Sequence, residues 1–307
     1  MSSIIELENL TKSFHKVPAV NDLSLAIPEG SVTAFLGPNG AGKTTTIKCL
    51  LNLQVPDSGT ARLLGCDSRK LAPKQLQRIG YVSENQKLPN WMNVTQLLNY
   101  LRPMYPDWDR DFEKRLLREF DIPMKTRLRS LSRGQHMKAA LLSSLAYRPQ
   151  VVILDEPFSG LDPLVRDEFL HGLLELTEVE GWSVLISSHD IEEVQRLCDR
   201  VTILNRGHLE LNESTDELLE RFRQVSVTFP EEAKLPKGLP AIWSEPQAIG
   251  RTIRFIDRQF HEAKLSELVG KHFPTATRHE VTALSLREVF VVLAKSFRVS
   301  TSPLIEK

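Results

Sequence analysis

The sequence has no excess of charge of either sign. Its 307 residues include 39 basic and 39 acidic side chains, which gives a formal net charge of +0. Proteins that bind nucleic acid over a broad surface usually carry a basic excess. The balance therefore argues against a DNA-binding protein, and we expect no nucleic-acid partner.

Cysteine is scarce, because only Cys49, Cys66 and Cys198 occur. They are too scattered for metal-ligand spacing and too few for a disulfide framework, which suits a protein of the reducing cytosol. We interpret them as small buried hydrophobic residues.

Long apolar runs are also missing. Residues 1–9 carry Glu6 and Glu8 and lack a basic region followed by an apolar stretch, so we expect no signal peptide. The run at residues 151–154 is far shorter than the roughly 20 residues of a membrane-spanning helix. Any membrane role is therefore expected to depend on a partner chain.

Hydrophobic residues make up 41% of the chain and charged residues 25%, as is typical of soluble globular proteins. Short β-branched runs alternate with longer helical patterns, which predicts a parallel sheet with crossover helices. The strand and helix pairs are 31–37 with 43–53, 151–155 with 165–177, and 183–188 with 191–197. Further strands at 4–10, 23–27 and 61–65 predict an antiparallel flank.

Between about residues 86 and 148 the strand signal fades, which predicts an inserted helical subdomain. Its helices are expected at residues 94–104, 109–120 and 134–147. From about residue 223 a second alternation begins, and we predict a small α+β domain over 223–307 after a first domain over 1–222. Its strands are expected at 225–229, 252–256 and 278–282, and its helices at 261–273 and 286–297.

Residues 37–45 read Gly-Pro-Asn-Gly-Ala-Gly-Lys-Thr-Thr and fit the phosphate-loop pattern between a predicted strand and a predicted helix. Its glycines let backbone N–H groups converge on phosphate oxygens at a positive helix end. Lys43 is predicted to reach the β and γ phosphates, and the Thr44 hydroxyl to hold Mg²⁺.

An apolar strand at residues 151–154 ends in Asp155 and Glu156. Open α/β sheets bind ligands at the carboxyl ends of their strands. We predict that Asp155 supports the metal and that Glu156 polarises the attacking water. His189 follows the next strand and is predicted to contact the γ-phosphate on the same rim.

Ser132 is a plausible cap for a helix opening at Arg133, Gly134 and Gln135, with exposed N–H groups that can bind an anion. With the phosphate loop, Asp155-Glu156, the Ser-Gly-Leu-Asp run at 159–162 and His189 in this order, the chain resembles the ATP-binding cassette (ABC) transporter ATPases. The resemblance covers residues 4 to about 220. It implies a phosphate-loop NTPase cassette of the α/β class.

The resemblance also implies ATP and Mg²⁺ as ligands and a head-to-tail homodimer that forms when ATP binds. This dimer is expected to drive a separate transmembrane permease from the cytoplasmic face of the cell membrane. In such a dimer Ser132, Gly134 and Gln135, with Arg133 among them, face the partner's ATP, and Asp162 couples the two sites. The residues implied to bind ATP within one chain are Phe14, which stacks on adenine, Val20, which supports it, Asn39, Gly40, Ala41, Gly42, Lys43, Thr44 and Thr45.

Two positions depart from the family pattern. Glu84 stands where the family often has the glutamine that contacts metal and water, and Arg133 replaces the usual second glycine of the signature. The glutamate, and a short match over residues 284–290, resemble an exporter branch with separate permeases and an accessory domain.

The helical region from Gln86 to Met104 is the expected docking surface, with Trp91 and Met92 as exposed anchors. Two other functions remain open from the sequence. One is a cassette ATPase that acts on the ribosome or DNA, and the other is a regulatory module that binds ATP without turnover.

Overall fold

The computed structural model describes residues 2–299. The chain forms two compact units that part between Asn212 and Glu213. The segment 213–222, which we assigned to the ATPase domain, therefore groups with the second unit. The functional division into an ATPase domain and an accessory domain remains a prediction, and its residues 300–307 lie outside the described part of the chain.

The first unit is centred on a six-stranded sheet, whose strands are β3 Val32–Leu36, β6 Ile79–Ser83, β7 Val151–Asp155, β8 Ser183–Ser188, β9 Arg200–Asn205 and β10 His208–Ser214. They lie in the order β10-β9-β3-β8-β7-β6. All neighbouring strands from β9 to β6 in this order run parallel to each other. Every residue of β7 and β8 is buried. This explains why residues 151–154 of β7 and 184–186 of β8 are apolar without alternation.

A second sheet flanks this core in the order β2-β1-β4-β5, with antiparallel pairing throughout. Its bounds are β1 Ser3–Phe14, β2 Val17–Pro28, β4 Ser58–Leu63 and β5 Cys66–Asp67. The predicted antiparallel flank is thus present, with longer strands than expected. Its alternating apolar side chains pack on the helix that follows the phosphate loop and on the buried face of the core sheet.

The helices of the first unit are α1 Lys43–Leu50, α2 Pro73–Leu76, α3 Val94–Leu101, α4 Arg110–Glu119, α5 Arg133–Leu145 and α6 Pro163–Glu180. The helices α3, α4 and α5 lie in the segment predicted to be helical. Asn93 caps α3 and Asp109 caps α4, each accepting hydrogen bonds from the first helical turn. Among the described residues, no helix is both long and apolar enough to cross a membrane.

The prediction of a helix at residues 191–197 is wrong. Only one 3₁₀ turn forms, at Ile191–Glu193. The Asp190 side chain accepts from the Glu192 amide, and the Ser188 hydroxyl bonds to the Glu193 carboxylate. Such local side-chain bonds compete with a continuing helix, and Val194 leaves the helical region at φ −128°.

The second unit contains a four-stranded antiparallel sheet in the order β12-β13-β11-β14. The elements are α7 Thr215–Arg221, β11 Arg223–Thr228, β12 Trp243–Ile249, β13 Thr252–Asp257, α8 Glu262–His272, β14 Arg278–Ala283 and α9 Leu286–Val299. The sequence did not reveal β12 because Pro246 lies inside it. The register shift between Ser244 and Gln247 accommodates the proline, as is usual for proline in an edge strand.

Aromatic rings form the centre of the second unit's core. Phe255 on β13 stacks on Trp243 at 4.1 Å between ring centroids, and Trp243 stacks on Phe273 at 5.7 Å. Leu265 and Val269 of α8 pack on the same face of the sheet. The helix and the sheet are therefore held together mainly by buried aromatic and aliphatic surface.

We expect Phe255→Ala to lower the free energy of unfolding of the second unit by about 3–5 kcal/mol, because it leaves a cavity among stacked rings. Urea unfolding of the full chain, with hydrogen exchange of peptides from β11 and β13, measures the loss. Arg254→Ala is the matched control, since the exposed Arg254 side chain is its neighbour on β13. Equal unfolding midpoints for the two variants would contradict this view of the core.

Candidate functional site

The phosphate loop connects the end of β3 to the start of α1. Gly37, Gly40 and Gly42 have positive φ values of 157°, 81° and 103°, which side chains other than glycine rarely adopt. A Cβ atom at Gly37 would clash with the Leu204 carbonyl, and one at Gly42 with the Ala19 carbonyl. The loop therefore packs closely on β9 and β2, and glycine is required where it does so.

Lys43 begins α1 and is 5% exposed. Its Nζ donates to the Gly37 carbonyl at 2.6 Å and lies 3.0 Å from Glu156 Oε1. A buried ammonium needs such partners, because burial without them is costly. The amine is therefore held inside the loop, between the end of β3 and the residue that follows β7.

Asp155 ends β7 and is 4% exposed. Its Oδ1 accepts hydrogen bonds from the Ser187 hydroxyl at 2.7 Å and from the Thr44 hydroxyl at 3.1 Å. Burial raises the pKa of Asp155, while the bonds from Ser187 and Thr44 oppose that rise. A buried carboxylate beside a hydroxyl suits a hard divalent cation, so the donor set fits Mg²⁺.

Glu156 follows the strand in a left-handed backbone conformation, with φ 52°. Its Oε2 lies 2.9 Å from His189 Nδ1, and its amide donates to the Ser187 hydroxyl at 2.9 Å. Glu156 thus contacts both Lys43 and His189, and the three predicted residues meet at one rim of the sheet.

Two neighbouring depressions, each of about 270 Å³, share Thr44, Glu84 and Glu156 in their walls. The first is also lined by the loop, Phe14 and Ala19, and the second by Lys48, Tyr81, Ser83, Asn85 and Asp155. The loop residues of the first are Asn39, Gly40, Ala41, Gly42, Lys43, Thr44 and Thr45.

Phe14 is 41% exposed at the edge of this cavity, which fits a ring that stacks on a base. Val20 is 0% exposed and packs in the core. It lies beneath the loop rather than along the cavity, where Ala19 takes the lining position.

Ser132 caps α5 in a reciprocal arrangement. The Gln135 amide donates to Ser132 Oγ at 3.2 Å, and the Ser132 amide donates to Gln135 Oε1 at 3.1 Å. Gly134 is buried against the Val165 side chain, where a Cβ atom would clash. None of the three residues lines the cavity around the phosphate loop. Within one chain the signature residues therefore do not contribute to the walls of this cavity, although Arg133 contacts Glu84, which does.

Asp162, the predicted coupling residue, caps α6 by accepting from the Val165 amide at 3.1 Å. The two residues that depart from the family pattern contact each other, because Arg133 Nη2 lies 3.3 Å from Glu84 Oε1. The Ser159 hydroxyl donates to the same Glu84 oxygen at 2.6 Å.

Ser187 and Ala19 are not among the residues predicted from the sequence, and Ser159 was predicted only as part of the run at 159–162, without its contact to Glu84. A signal for Ser187 exists, because the parallel register pairs Asp155 with Ser187 at the ends of adjacent strands. This register places the Ser187 hydroxyl next to the Asp155 carboxylate. Met92, which we expected to be exposed, is 7% exposed and packs in the interior, whereas Trp91 is 70% exposed.

Comparison with known proteins agrees with this geometry. The family described as ABC transporter matches residues 20–159. The ABC transporter ATP-binding protein YtrB of Bacillus subtilis is 32% identical over 232 residues, which are 76% of this chain and 79% of YtrB.

Solved structures show the same fold. The cbiO1 protein of Clostridium perfringens, part of the transporter complex cbiONQ, superposes with a TM-score of 0.61 at 27% identity, covering 72% of this chain and 92% of cbiO1. The dimeric bacterial ABC transporter cassette MJ0796 superposes with a TM-score of 0.62 at 24% identity, covering 68% of this chain and 98% of that one.

The chain therefore belongs to the ABC transporter family. Within that family it is an ATP-binding subunit, with the cassette fold of a phosphate-loop NTPase. The second unit lies beyond the residues that the family matches.

We expect Asp155→Asn to raise the free energy of unfolding of the chain by about 1 kcal/mol when metal and nucleotide are absent. Burial raises the pKa of Asp155, so its charge at neutral pH opposes folding, and asparagine keeps an acceptor for Ser187 and Thr44. Thermal unfolding with a chelator present measures this. Asp162→Asn, an exposed acid whose replacement preserves the helix cap, is the control and should not change the midpoint.

Proposed function

We propose that the protein hydrolyses ATP as a homodimer and thereby drives transport through a separate membrane permease. The observation that carries the proposal is the contact of Lys43 with Glu156, and of Glu156 with His189, beside the buried Asp155. Lys43 is a cation that can bind phosphate, and Asp155 is a candidate metal ligand. Glu156 is a candidate base, with His189 as its neighbour.

Each residue has a separate task in the proposed reaction. Lys43 binds the β and γ phosphates, and the loop amides surround them. Thr44 and Asp155 hold Mg²⁺, which neutralises phosphate charge when it is bound. Glu156 orients and polarises the attacking water, and His189 contacts the γ-phosphate from the next strand. In this mechanism the phosphates displace Glu156 from Lys43 and free its carboxylate for water.

A second copy of the chain completes the site. The residues at the start of α5 do not line the phosphate-loop cavity of their own chain, yet this helix end, capped by Ser132, suits an anion. In a head-to-tail dimer the α5 end of one protomer binds the γ-phosphate held by its partner. The dimeric cassette MJ0796 supports this arrangement by analogy of fold.

The permease is proposed to dock in an apolar groove of about 450 Å³ between the core sheet and the helical segment. Its lining includes Leu53, Tyr100 and Leu88, of which Leu53 and Tyr100 are 61% and 54% exposed. An apolar groove with aromatic walls fits one face of an amphipathic helix. The occupant we propose is a short helix from a cytoplasmic loop of the permease.

One loop joins the groove to the nucleotide cavity. Glu84 lines the nucleotide cavity, and Gln86, Lys87 and Leu88 line the groove. Any shift of this loop when nucleotide binds changes both surfaces. This is the proposed path by which ATP acts on the permease, and it implies a peripheral position at the cytoplasmic face of the membrane. Export is the proposed direction, by resemblance of Glu84 and the C-terminal segment to the exporter branch.

We expect Glu156→Gln to bind ATP normally but to lower its turnover by at least about a hundredfold, because the water loses its base. ATP-dependent dimers should then accumulate and can be detected by size-exclusion chromatography with light scattering. Turnover equal to that of the unmodified chain would remove Glu156 from this role.

Lys43→Ala is expected to weaken ATP binding by about a hundredfold or more, because the phosphates lose a buried, charge-assisted partner. Equilibrium binding of a fluorescent ATP analogue measures this. Lys74→Ala is the control, since it removes an exposed lysine of α2 that lines neither depression of the site. Equal ATP affinity for Lys43→Ala and the unmodified chain would contradict the phosphate-loop assignment.

We expect Tyr100→Lys to reduce recovery of a polytopic partner from gently solubilised membranes by about tenfold, while ATP binding is unchanged. Quantitative mass spectrometry of the purified complex measures this. Ile249→Lys, a change at a residue 53% exposed in the second unit, is the control. Recovery of only ribosomal or DNA-associated partners would contradict the transport function.

A further inference from the structure

Glu84 and Arg133, the two departures from the family pattern, form one structural unit in this chain. They are 49 positions apart in the sequence, yet Arg133 Nη2 and Glu84 Oε1 lie 3.3 Å apart. Their side chains are 50% and 36% exposed, and an ion pair so open to water adds little to the stability of a fold. Stabilisation of the fold is therefore a small part of what this pair can contribute.

The segment that follows Glu156 contacts both members of this pair. Gly160 has φ 67°, and a Cβ atom there would clash with the Arg133 guanidinium. The preceding residue, Ser159, donates its hydroxyl to Glu84 Oε1 at 2.6 Å. The segment that follows Glu156 thus provides both space for the guanidinium and a second donor for the carboxylate.

Both donors act on one oxygen of Glu84. Among the residues from 2 to 299, its hydrogen bonds and ion pair fall on Oε1, and Oε2 takes no part in them. The Glu84 amide also donates to the Asp155 carbonyl at 2.8 Å, and Glu84 lines the cavity that contains Thr44 and Asp155. One carboxylate oxygen is thus held by two donors, and the other has no hydrogen bond among the described residues of a chain in which Glu84 lines the predicted metal site.

We propose that Arg133 is a positioning residue for metal binding: it fixes the Glu84 carboxylate so that its second oxygen serves the Mg²⁺ that accompanies ATP. Carboxylate ligands of metals are commonly oriented by such outer partners, whose loss weakens metal binding about 10- to 100-fold. The inference rests on the proposed function, since it needs Mg²⁺ and ATP at Thr44 and Asp155.

The pair also connects two nucleotides of the proposed dimer. Glu84 belongs to the cavity of its own chain, whereas Arg133 is the first residue of α5, the helix that faces the partner's ATP. A partner γ-phosphate that attracts Arg133 acts directly on the residue that orients Glu84. Arg133 thus provides a short ionic link between the two sites.

Direct metal binding tests the proposal. The probe is Mn²⁺ in the presence of a saturating, non-hydrolysable ATP analogue, and free Mn²⁺ is measured by electron paramagnetic resonance on the full-length chain. We expect Arg133→Gln to raise the Mn²⁺ dissociation constant about tenfold. We expect Arg133→Lys, which keeps the charge, to regain part of this affinity. Arg129→Gln removes an exposed arginine from the same segment and is the matched control, with an unchanged dissociation constant.

A double-mutant cycle separates positioning from a general loss of charge. If Arg133 acts through Glu84, Arg133→Gln in a Glu84→Gln background changes Mn²⁺ affinity by less than about twofold. An equal loss in both backgrounds, no loss at all, or tighter Mn²⁺ binding by Arg133→Gln would overturn the proposal.

The unmodified chain distinguishes the two levels of failure. If it binds no Mn²⁺ with the ATP analogue, and Lys43→Ala makes no difference, the proposed function itself fails. If the unmodified chain binds both Mn²⁺ and the ATP analogue, and the Arg133 variants bind Mn²⁺ as tightly as Arg129→Gln does, the proposed function stands. The positioning role of Arg133 is then lost.

Discussion

The parallel pairing of β3, β8 and β7 is the constraint on which the rest of the structure depends. Strands that run side by side in one direction bring their carboxyl ends to a common edge. Here those ends are followed by the phosphate loop, His189 and the Asp155-Glu156 pair. Residues separated by more than a hundred positions therefore meet within hydrogen-bond distance.

The contact between Lys43 and Glu156 follows directly from this sheet. A buried ammonium and a nearly buried carboxylate stabilise each other only while they are together, because either one alone in the interior is costly. Phosphates offer Lys43 the same charge in place of Glu156. The ion pair with Glu156 thus keeps Lys43 charged and paired at a place where an anionic group can take over the contact.

The sequence predicted most of this core because buried parallel strands have a distinct pattern. The expected bounds of the strands at 151–155 and 183–188 match β7 and β8 residue for residue, and the phosphate loop lies where expected between β3 and α1. Where local chemistry competes with the pattern, the prediction failed, as for Pro246 within β12 and for Asp190 before the 3₁₀ turn Ile191–Glu193. Contacts such as Glu84 with Arg133 depend on packing between distant segments, and neither side chain alone predicts them.

The central claim is that each ATP site is built from two chains, with the phosphate loop of one and the start of α5 of the other. Mixing two inactive variants, Lys43→Ala and Ser132→Arg, and measuring phosphate release from ATP tests it most directly. A mixed dimer contains one site with both an intact loop and an intact α5 end, so the account predicts activity that neither variant has alone. Activity that stays absent in the mixture, or activity that Ser132→Arg retains by itself, would contradict the two-chain site.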